Sequence, residues 1–314
     1  MKSLISAALA AALSIPPLAA AGEAYPSKPI RIITAAAGGG SDFVARMIAT
    51  PLGPQIGQQV IVDNRGLLAS DIAAKAPPDG YTLLLSGGTL WLLPFMREGV
   101  ASDQSDFVPL TMATQTVNIL VVHPSLPAQS VKEVIGLAKA QPGQLNFATS
   151  GNGNSVHIAG ELFKAMTHTQ IVRVNYKAAS QALTDLIAGQ TQLMFSVPGS
   201  AVPHVKAKRL RALAVTSAKP SPLFPELPTV SGTVPGYETV SVIGMFAPAG
   251  TPPAIVNRLS QEIGKVLQRP DVRDKFIAQS IEPFPTTPDA ASALIKSEMA
   301  RMGKVIKSAN IRAD

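Results

Sequence analysis

Short apolar runs bounded by turn residues alternate along this chain with longer stretches in which apolar residues recur every three or four positions. Residues 30–33 (Ile, Arg, Ile, Ile), entered through Pro26 and Pro29, read as a strand. So do 60–62 and 81–85, the latter reached through Pro77, Pro78, Asp79 and Gly80. Between the first two, Val44, Met47, Ile48 and Leu52 mark one face of a helix over about 42–56. Pro51 and Pro54 inside it predict a kink or an early end. Residues 119–122 (Ile, Leu, Val, Val) are continuously apolar, as a strand buried on both faces would be. Ser130 and Glu133 have capping-box spacing and open a helix that Gln141, Pro142 and Gly143 end.

Further strands are predicted at 145–148, 192–195, 210–215 and about 240–246. Helices are predicted at 155–166, with Ile158, Leu162, Phe163 and Met166 inward, and at 181–188, 271–279 and 287–307. Thr251 stands where it would cap another helix, with Pro252 in the first turn. Residues 219–235 carry Pro220, Pro222, Pro225, Pro228 and Pro235 and are expected to be irregular. The β-α-β alternation predicts an α/β fold of open, mostly parallel sheets with helices on both faces. No break in composition divides the chain at its middle, which suits two domains that exchange strands.

With 314 residues, 46% hydrophobic and 15% charged, the chain has material for two cored domains. It has no cysteine, which excludes disulfide frameworks, iron–sulfur clusters, thiolate zinc sites and cysteine nucleophiles. The net charge of +7 is dispersed, and the cluster Lys206, Lys208, Arg209 and Arg211 has no aromatic neighbours on which bases would stack, so no nucleic-acid partner is expected. At the start, Lys2, an apolar stretch over 4–15, Pro16, Pro17 and then Ala19, Ala20, Ala21, Gly22 and Ala24 have the layout of a secretory signal cleaved after Ala21 or Ala24.

Two glycine-rich loops each follow a predicted strand and open a predicted helix. The first is Ala35, Ala36, Ala37, Gly38, Gly39, Gly40, Ser41, Asp42; the second is Thr149, Ser150, Gly151, Asn152, Gly153, Asn154, Ser155. Glycine lets the backbone turn and approach a ligand, and a helix start offers amides with no partner in the preceding turn and a partial positive charge. Neither loop completes a dinucleotide fingerprint, because Phe43 and Val156 replace the third glycine, and neither is followed by Gly-Lys-Ser/Thr. Taken alone, each is either a tight connection with a cap or half of a polar-ligand site. Ser41, Asp42 and His157 are the residue types of a hydrolase triad, yet no Gly-x-Ser-x-Gly elbow is present, and Ser41 and Asp42 also stand where helix caps belong. His157 and Glu161 share a helix face without a second ligand pair, so no metal or other cofactor is expected.

The strings Tyr25-Pro-Ser-Lys-Pro-Ile-Arg31, Asp63-Asn64-Arg65 and Pro78-Asp79-Gly80-Tyr81 resemble the Bug family, the extracytoplasmic solute receptors of tripartite tricarboxylate transporters. The likeness continues through Ser150-Gly151-Asn152-Gly153 with His157, Ala159-Gly160-Glu161, Tyr176-Lys177, Gly236-Tyr237-Glu238 and Phe246-Ala-Pro-Ala-Gly-Thr-Pro252. The resemblance implies a type II periplasmic binding protein: two Rossmann-like domains joined by crossing strands, one over 25–121 with 239–314 and the other over 122–238, after a signal at 1–24. It implies a monomeric periplasmic receptor for a small organic carboxylate, working with inner-membrane transporter subunits or a sensor protein. An exported hydrolase is the remaining reading. Carried over by position, the cleft would be lined by Ala37, Gly38, Gly39, Gly40, Ser41 and Asp42, by Ser86, Gly87 and Thr89, and by Thr149, Ser150, Gly151, Asn154 and Ser155. Tyr176 and Ser196 would complete it.

The chain departs from that family in three places. Ala37 replaces a usual proline, the segment 66–76 is shorter and lacks a glycine-rich stretch, and Ser196-Val197 stands where relatives often have Asp-Asn. These changes imply a less polar pocket, suited to an apolar or aromatic carboxylate rather than an amino acid.

Overall fold

The apolar runs become strands and the periodic stretches become helices in a computed structural model that describes residues 25–150, 153–308 and 310–313. The expected signal segment and Gly151 lie outside the described residues. In chain order the elements are β1 (Ile30–Thr34), α1 (Gly40–Ile56), β2 (Val60–Asn64), α2 (Ala69–Ala74), β3 (Thr82–Gly87) and α3 (Thr89–Met96). Next come β4 (Phe107–Val117), β5 (Ile119–Val122), α4 (Val131–Ala140), β6 (Asn146–Ser150), α5 (Ser155–Thr167), β7 (Val172–Tyr176) and α6 (Ala179–Ile187). The chain continues through β8 (Leu193–Ser196), α7 (Pro198–Lys206), β9 (Arg211–Val215), β10 (Val240–Pro248), α8 (Pro253–Gln268), α9 (Pro270–Ala278), β11 (Glu282–Pro283) and α10 (Pro288–Ser308).

The strands form two sheets, in the orders β11-β4-β10-β3-β1-β2 and β7-β6-β8-β5-β9. Alternation along each strand sends its side chains to two cores. In the first sheet Ile30, Ile32, Leu83 and Leu85 pack under α1, α8 and α9, while Ile33, Leu84 and Phe246 face α2, α3 and α10. The second of these cores is continuous with one face of the second sheet, through Leu120, Val122, Phe147 and Phe195 under α4 and α5. Ile119 and Val121 point the other way, to α6 and α7, so the apolar run at 119–122 is buried on both faces.

Several expectations need correction. The sheets are mixed rather than mostly parallel: β2, β1 and β3 run parallel, as do β7, β6 and β8, but β10 is antiparallel to β3 and β4, and β5 to β8 and β9. The reason is that the chain passes between sheets as extended strand rather than through a helical crossover. α1 does not end at Pro51 or Pro54; it runs on to Ile56, held down by buried Val44, Ile48 and Leu52, and stops at Gly57, whose N–H donates to the Gly53 carbonyl. Thr251 does not cap α8. Its hydroxyl donates back to the Pro248 carbonyl at 2.7 Å, and Pro252 takes the cap position.

β4 and β5 are separated by Asn118 alone, where the chain changes sheets. Residues 119–121, expected in the first domain, therefore hydrogen-bond in the second sheet. The return path is tied to this crossing by one side chain. Thr216 Oγ1 accepts from the Asn118 amide (2.9 Å) and donates to the Thr239 carbonyl (2.6 Å), while its own backbone bonds Asn118 O and Thr239 N at 2.9 Å each. Asn118 and Thr216 are fully buried.

Candidate functional site

The carboxyl ends of β1, β3 and β6 each release the chain into a loop that starts a helix, the position at which open α/β sheets bind ligands. The first glycine-rich loop is exposed from Ala35 to Gly40. Gly38 takes a left-handed conformation (φ 79°), which directs its amide onto the Asp42 carboxylate at 2.9 Å. Asp42 Oδ1 also accepts from Asn64 Nδ2 (3.0 Å) and Arg46 Nε (2.9 Å). These contacts, the Gly38 amide foremost, hold the carboxyl down at about 2. The start of α1 itself has Gly39 as its N-cap and no side-chain cap.

The second loop is secured differently. Asn154 caps α5: its Oδ1 accepts from the His157 amide at 3.0 Å, and its Nδ2 donates to the Ser150 carbonyl at 2.6 Å. Gly153 (φ 74°) donates its N–H to Nδ1 of the fully buried His157 at 3.0 Å, and the other ring nitrogen meets the Arg173 guanidinium. Tyr237 supports the same helix from below, its hydroxyl donating to the Ala159 carbonyl at 3.0 Å. The amides of Ser155 and Val156 head α5 with no preceding turn to accept them.

Between these elements lies a cavity of about 180 Å³. Ser41 of α1 contributes to it, with Gly87 at the end of β3, Gly88 in the turn that follows, and Thr89 and Leu92 of α3. From the other sheet come Gly153, Asn154, Ser155 and Ile158. Thr239 and the start of β10 (Val240 to Ile243) form one wall, and Glu298, Arg301 and Met302 of α10 another. Glu298 Oε2 accepts from Trp91 Nε1 at 2.8 Å, and burial pushes its pKa up. Arg301 Nη1 donates to the Glu238 carbonyl at 2.8 Å.

The model of the tripartite tricarboxylate transporter family receptor matches residues 44–311. The chain belongs to that receptor family. It is 36% identical to the "UPF0065 protein in tcbD-tcbE intergenic region" of Pseudomonas sp. (strain P51), over 93% of this chain and 89% of that one. It is 33% identical to protein BugT of Bordetella pertussis, over 91% and 90% of the two chains. Among solved structures, R. palustris Rpa4515 with adipate superposes with a TM-score of 0.81 at 33% identity, over 92% of this chain and 99% of that one. Members of the family are periplasmic solute-binding proteins.

Of the site residues read from the sequence, the receptor brings Ser41, Gly87, Thr89, Asn154 and Ser155 to the cavity. Ala37, Gly38, Gly39 and Gly40 form the exposed loop beside Ser41, and Asp42 is committed to holding that loop. Ser86 is half-buried in β3, opposite Gly244. Thr149 is buried in β6, its hydroxyl without a hydrogen-bond partner among the described residues, and the Ser150 carbonyl serves Asn154. Tyr176 donates to Asp185 Oδ2 at 2.8 Å; burial, and after it this bond, raises its pKa to about 12. Ser196 is buried, its hydroxyl turned to the Val197 carbonyl. The triad types do not assemble: Asp42 serves the first loop, and the His157 ring serves Gly153 and Arg173. Glu161 is paired with Lys164 at 2.9 Å, and among the described residues no group of three or more His, Cys, Asp or Glu side chains could hold a metal.

Sequence reading missed the walls built by β10 and α10. Glu298 and Arg301 lie three residues apart on an amphipathic helix, a spacing that reads as an exposed pair. No feature of the sequence announces that this stripe faces a cavity. Residues 66–76, expected to be a shortened segment, form a 3₁₀ turn, Gly66–Leu68, followed by α2, with Leu67 fully exposed.

Proposed function

We propose that this chain is a periplasmic receptor that captures a small, largely apolar carboxylate between its two sheets and presents it to the membrane subunits of a tripartite tricarboxylate transporter. The observation that carries this reading is the cavity itself. It joins the tip of α5, with hydroxyls from Ser41, Thr89 and Ser155, to an apolar lining of Leu92, Ile158, Val240, Val242, Ile243 and Met302. Amides at a helix start suit an anion, and the lining suits a hydrocarbon body. A dry cavity of about 150 Å³ holds benzene, so about 180 Å³ suits a ring or chain of about six carbons bearing a carboxylate. The adipate in the structure of Rpa4515 supports the same class.

Two lobes, one ending at the Asn118 crossing and resuming near Thr239 and the other lying between them, so that 119–121 join the second lobe rather than the first, would close on the ligand about the crossing at Asn118 and Thr216. Closure is favoured because the ligand contacts both lobes only in that state. Asp42 and His157 are each committed to structural partners, which supports capture without turnover.

Thermal-shift and calorimetric titration of the mature protein with adipate, benzoate, citrate and aspartate test the reading. A ligand present at a hundred times its Kd adds about 2.7 kcal/mol of stability. Adipate or benzoate should produce such a shift and citrate and aspartate should not; preference for aspartate or citrate would overturn the proposed ligand class.

A further inference from the structure

The wall that α10 gives to the cavity carries two ionisable side chains, Glu298 and Arg301, one helical turn apart. Glu298 is held by the indole N–H of Trp91 at 2.8 Å. Arg301 reaches back to the crossing segment, where its guanidinium bonds the Glu238 carbonyl and lies 3.7 Å from the Glu238 carboxylate. Of the elements packed on α10, α3 and β4 contain no ionisable side chain, nor does the cavity wall β10, and the charged side chains of α8, Glu262 with Arg258 and Lys265, pair with one another. α5 contributes Asn154, Ser155 and Ile158, its His157 being turned to Gly153 and Arg173. The charges that face Glu298 are therefore Arg301 on its own helix and Glu238 on the crossing segment. Burial and Glu238 favour the acid form, while the Trp91 bond and Arg301 oppose it.

A carboxylate ligand entering so small a cavity adds a negative charge near Glu298. Two carboxylates in one partly dehydrated site hold a proton between them rather than both remaining ionised. We propose that Glu298 is the ligand-sensing acid of the cavity: as a carboxylate enters, Glu298 takes up one proton from solvent and donates it as an O–H hydrogen bond to the ligand, with Arg301 supplying positive charge beside the pair. The balance is one ligand carboxylate, one Glu298 carboxylate and one proton in, and one hydrogen-bonded acid–carboxylate pair out; no other bond changes. This rests on the receptor reading of the cavity and adds to it a selection rule. The ligand needs a free carboxylate on the α10 wall, and an amide in its place forfeits the proton.

Trp91 is the only tryptophan in the chain and is bonded to the group in question, so its emission reports the ionisation of Glu298. The experiment is a pH titration of that emission on the mature protein, alone and with saturating adipate, benzoate or benzamide, alongside affinities measured across the same pH range. The emission midpoint should rise by about one pH unit or more with adipate or benzoate and stay in place with benzamide. Carboxylate affinity should weaken by up to about tenfold per pH unit between the free and bound midpoints. Glu298→Gln should abolish the titration and flatten the pH profile of affinity, whereas Arg301→Gln should weaken binding at every pH without flattening it. Binding of a carboxylate with an unmoved midpoint and a flat wild-type profile would overturn the proposal and leave the receptor reading intact. Failure of every carboxylate to bind at any pH would remove the receptor reading and the proposal with it. Should Glu298→Gln not fold, the wild-type midpoints with and without ligand still decide the matter.

Discussion

The two glycine-rich loops share one grammar, strand then small residues then helix, yet they are fastened by opposite means. The first is pinned by a charge: Asp42 gathers the Gly38 amide, Asn64 and Arg46. The second is pinned by neutral groups, the Asn154 carboxamide bridging Ser150 and His157 and the buried imidazole receiving Gly153. The difference bears on which tip can hold an anion. A carboxylate beside the start of α1 offsets the positive end of that helix, whereas the first turn of α5 carries no acidic side chain of its own. On electrostatic grounds the tips would be unequal partners in the proposed receptor: the tip of α5, with the α10 wall, would face the ligand's charge and the first loop would shape the mouth.

The largest expected effect comes from the neutral pin. Asn154→Ala removes both of its bonds and should cost about 2 kcal/mol of stability, read as a lower melting temperature. It should also weaken adipate or benzoate binding by about tenfold or more; unchanged affinity would break the assignment of the anion to α5.

Removing the charged pin should cost less and act on stability rather than affinity. Asp42→Asn is expected to lose about 1–2 kcal/mol at neutral pH, with carboxylate affinity unchanged or slightly improved. The pH dependence separates the two pins. The folded-state pKa of Asp42, about 2, lies below its unfolded value of about 3.9, so its contribution is full above about pH 4 and is lost as pH falls towards 2. Urea unfolding of wild type and variant between pH 2 and pH 5 should show curves that converge at the acid end. Curves that stay parallel would mean the carboxylate does not fasten the loop.

The smallest effect compares the two left-handed glycines. Gly38→Ala and Gly153→Ala should each cost about 1 kcal/mol for conformation alone. A methyl on Gly38 meets nothing within 4 Å, whereas on Gly153 it lies 3.2 Å from the Met96 side chain. Gly153→Ala should therefore melt lower by a small further margin.

The parts of the fold that were legible are those where one side of an element faces one environment. β5 is apolar at every position because both of its faces are covered, and the helical face led by Ile158, Leu162 and Phe163 is inward as its spacing predicts. The long crossing strand β4 escaped because it mixes Pro109, buried Thr111 and Thr114, and Gln115, with neither alternation nor a continuous apolar run. α3 escaped because Leu90, Trp91, Leu92 and Met96 leave it apolar on all sides, with Pro94 within it, and so without a period to read. The glycine loops were legible as candidate sites from their residue types. The α10 wall was not, since only the packing of α10 against α3 turns an ordinary Glu and Arg on a helix into the lining of a cavity.

In the proposed closure, the crossing at Asn118 would make the second sheet a lever. β7 stands three strand spacings from β5, or roughly 14 Å at about 4.8 Å each. Turning the backbone by about 20° at that one residue would sweep the outer rim through roughly 5 Å, while atoms near the fulcrum scarcely shift. A small torsion beside a single threonine hydroxyl would thereby be geared up into a far larger displacement at the rim.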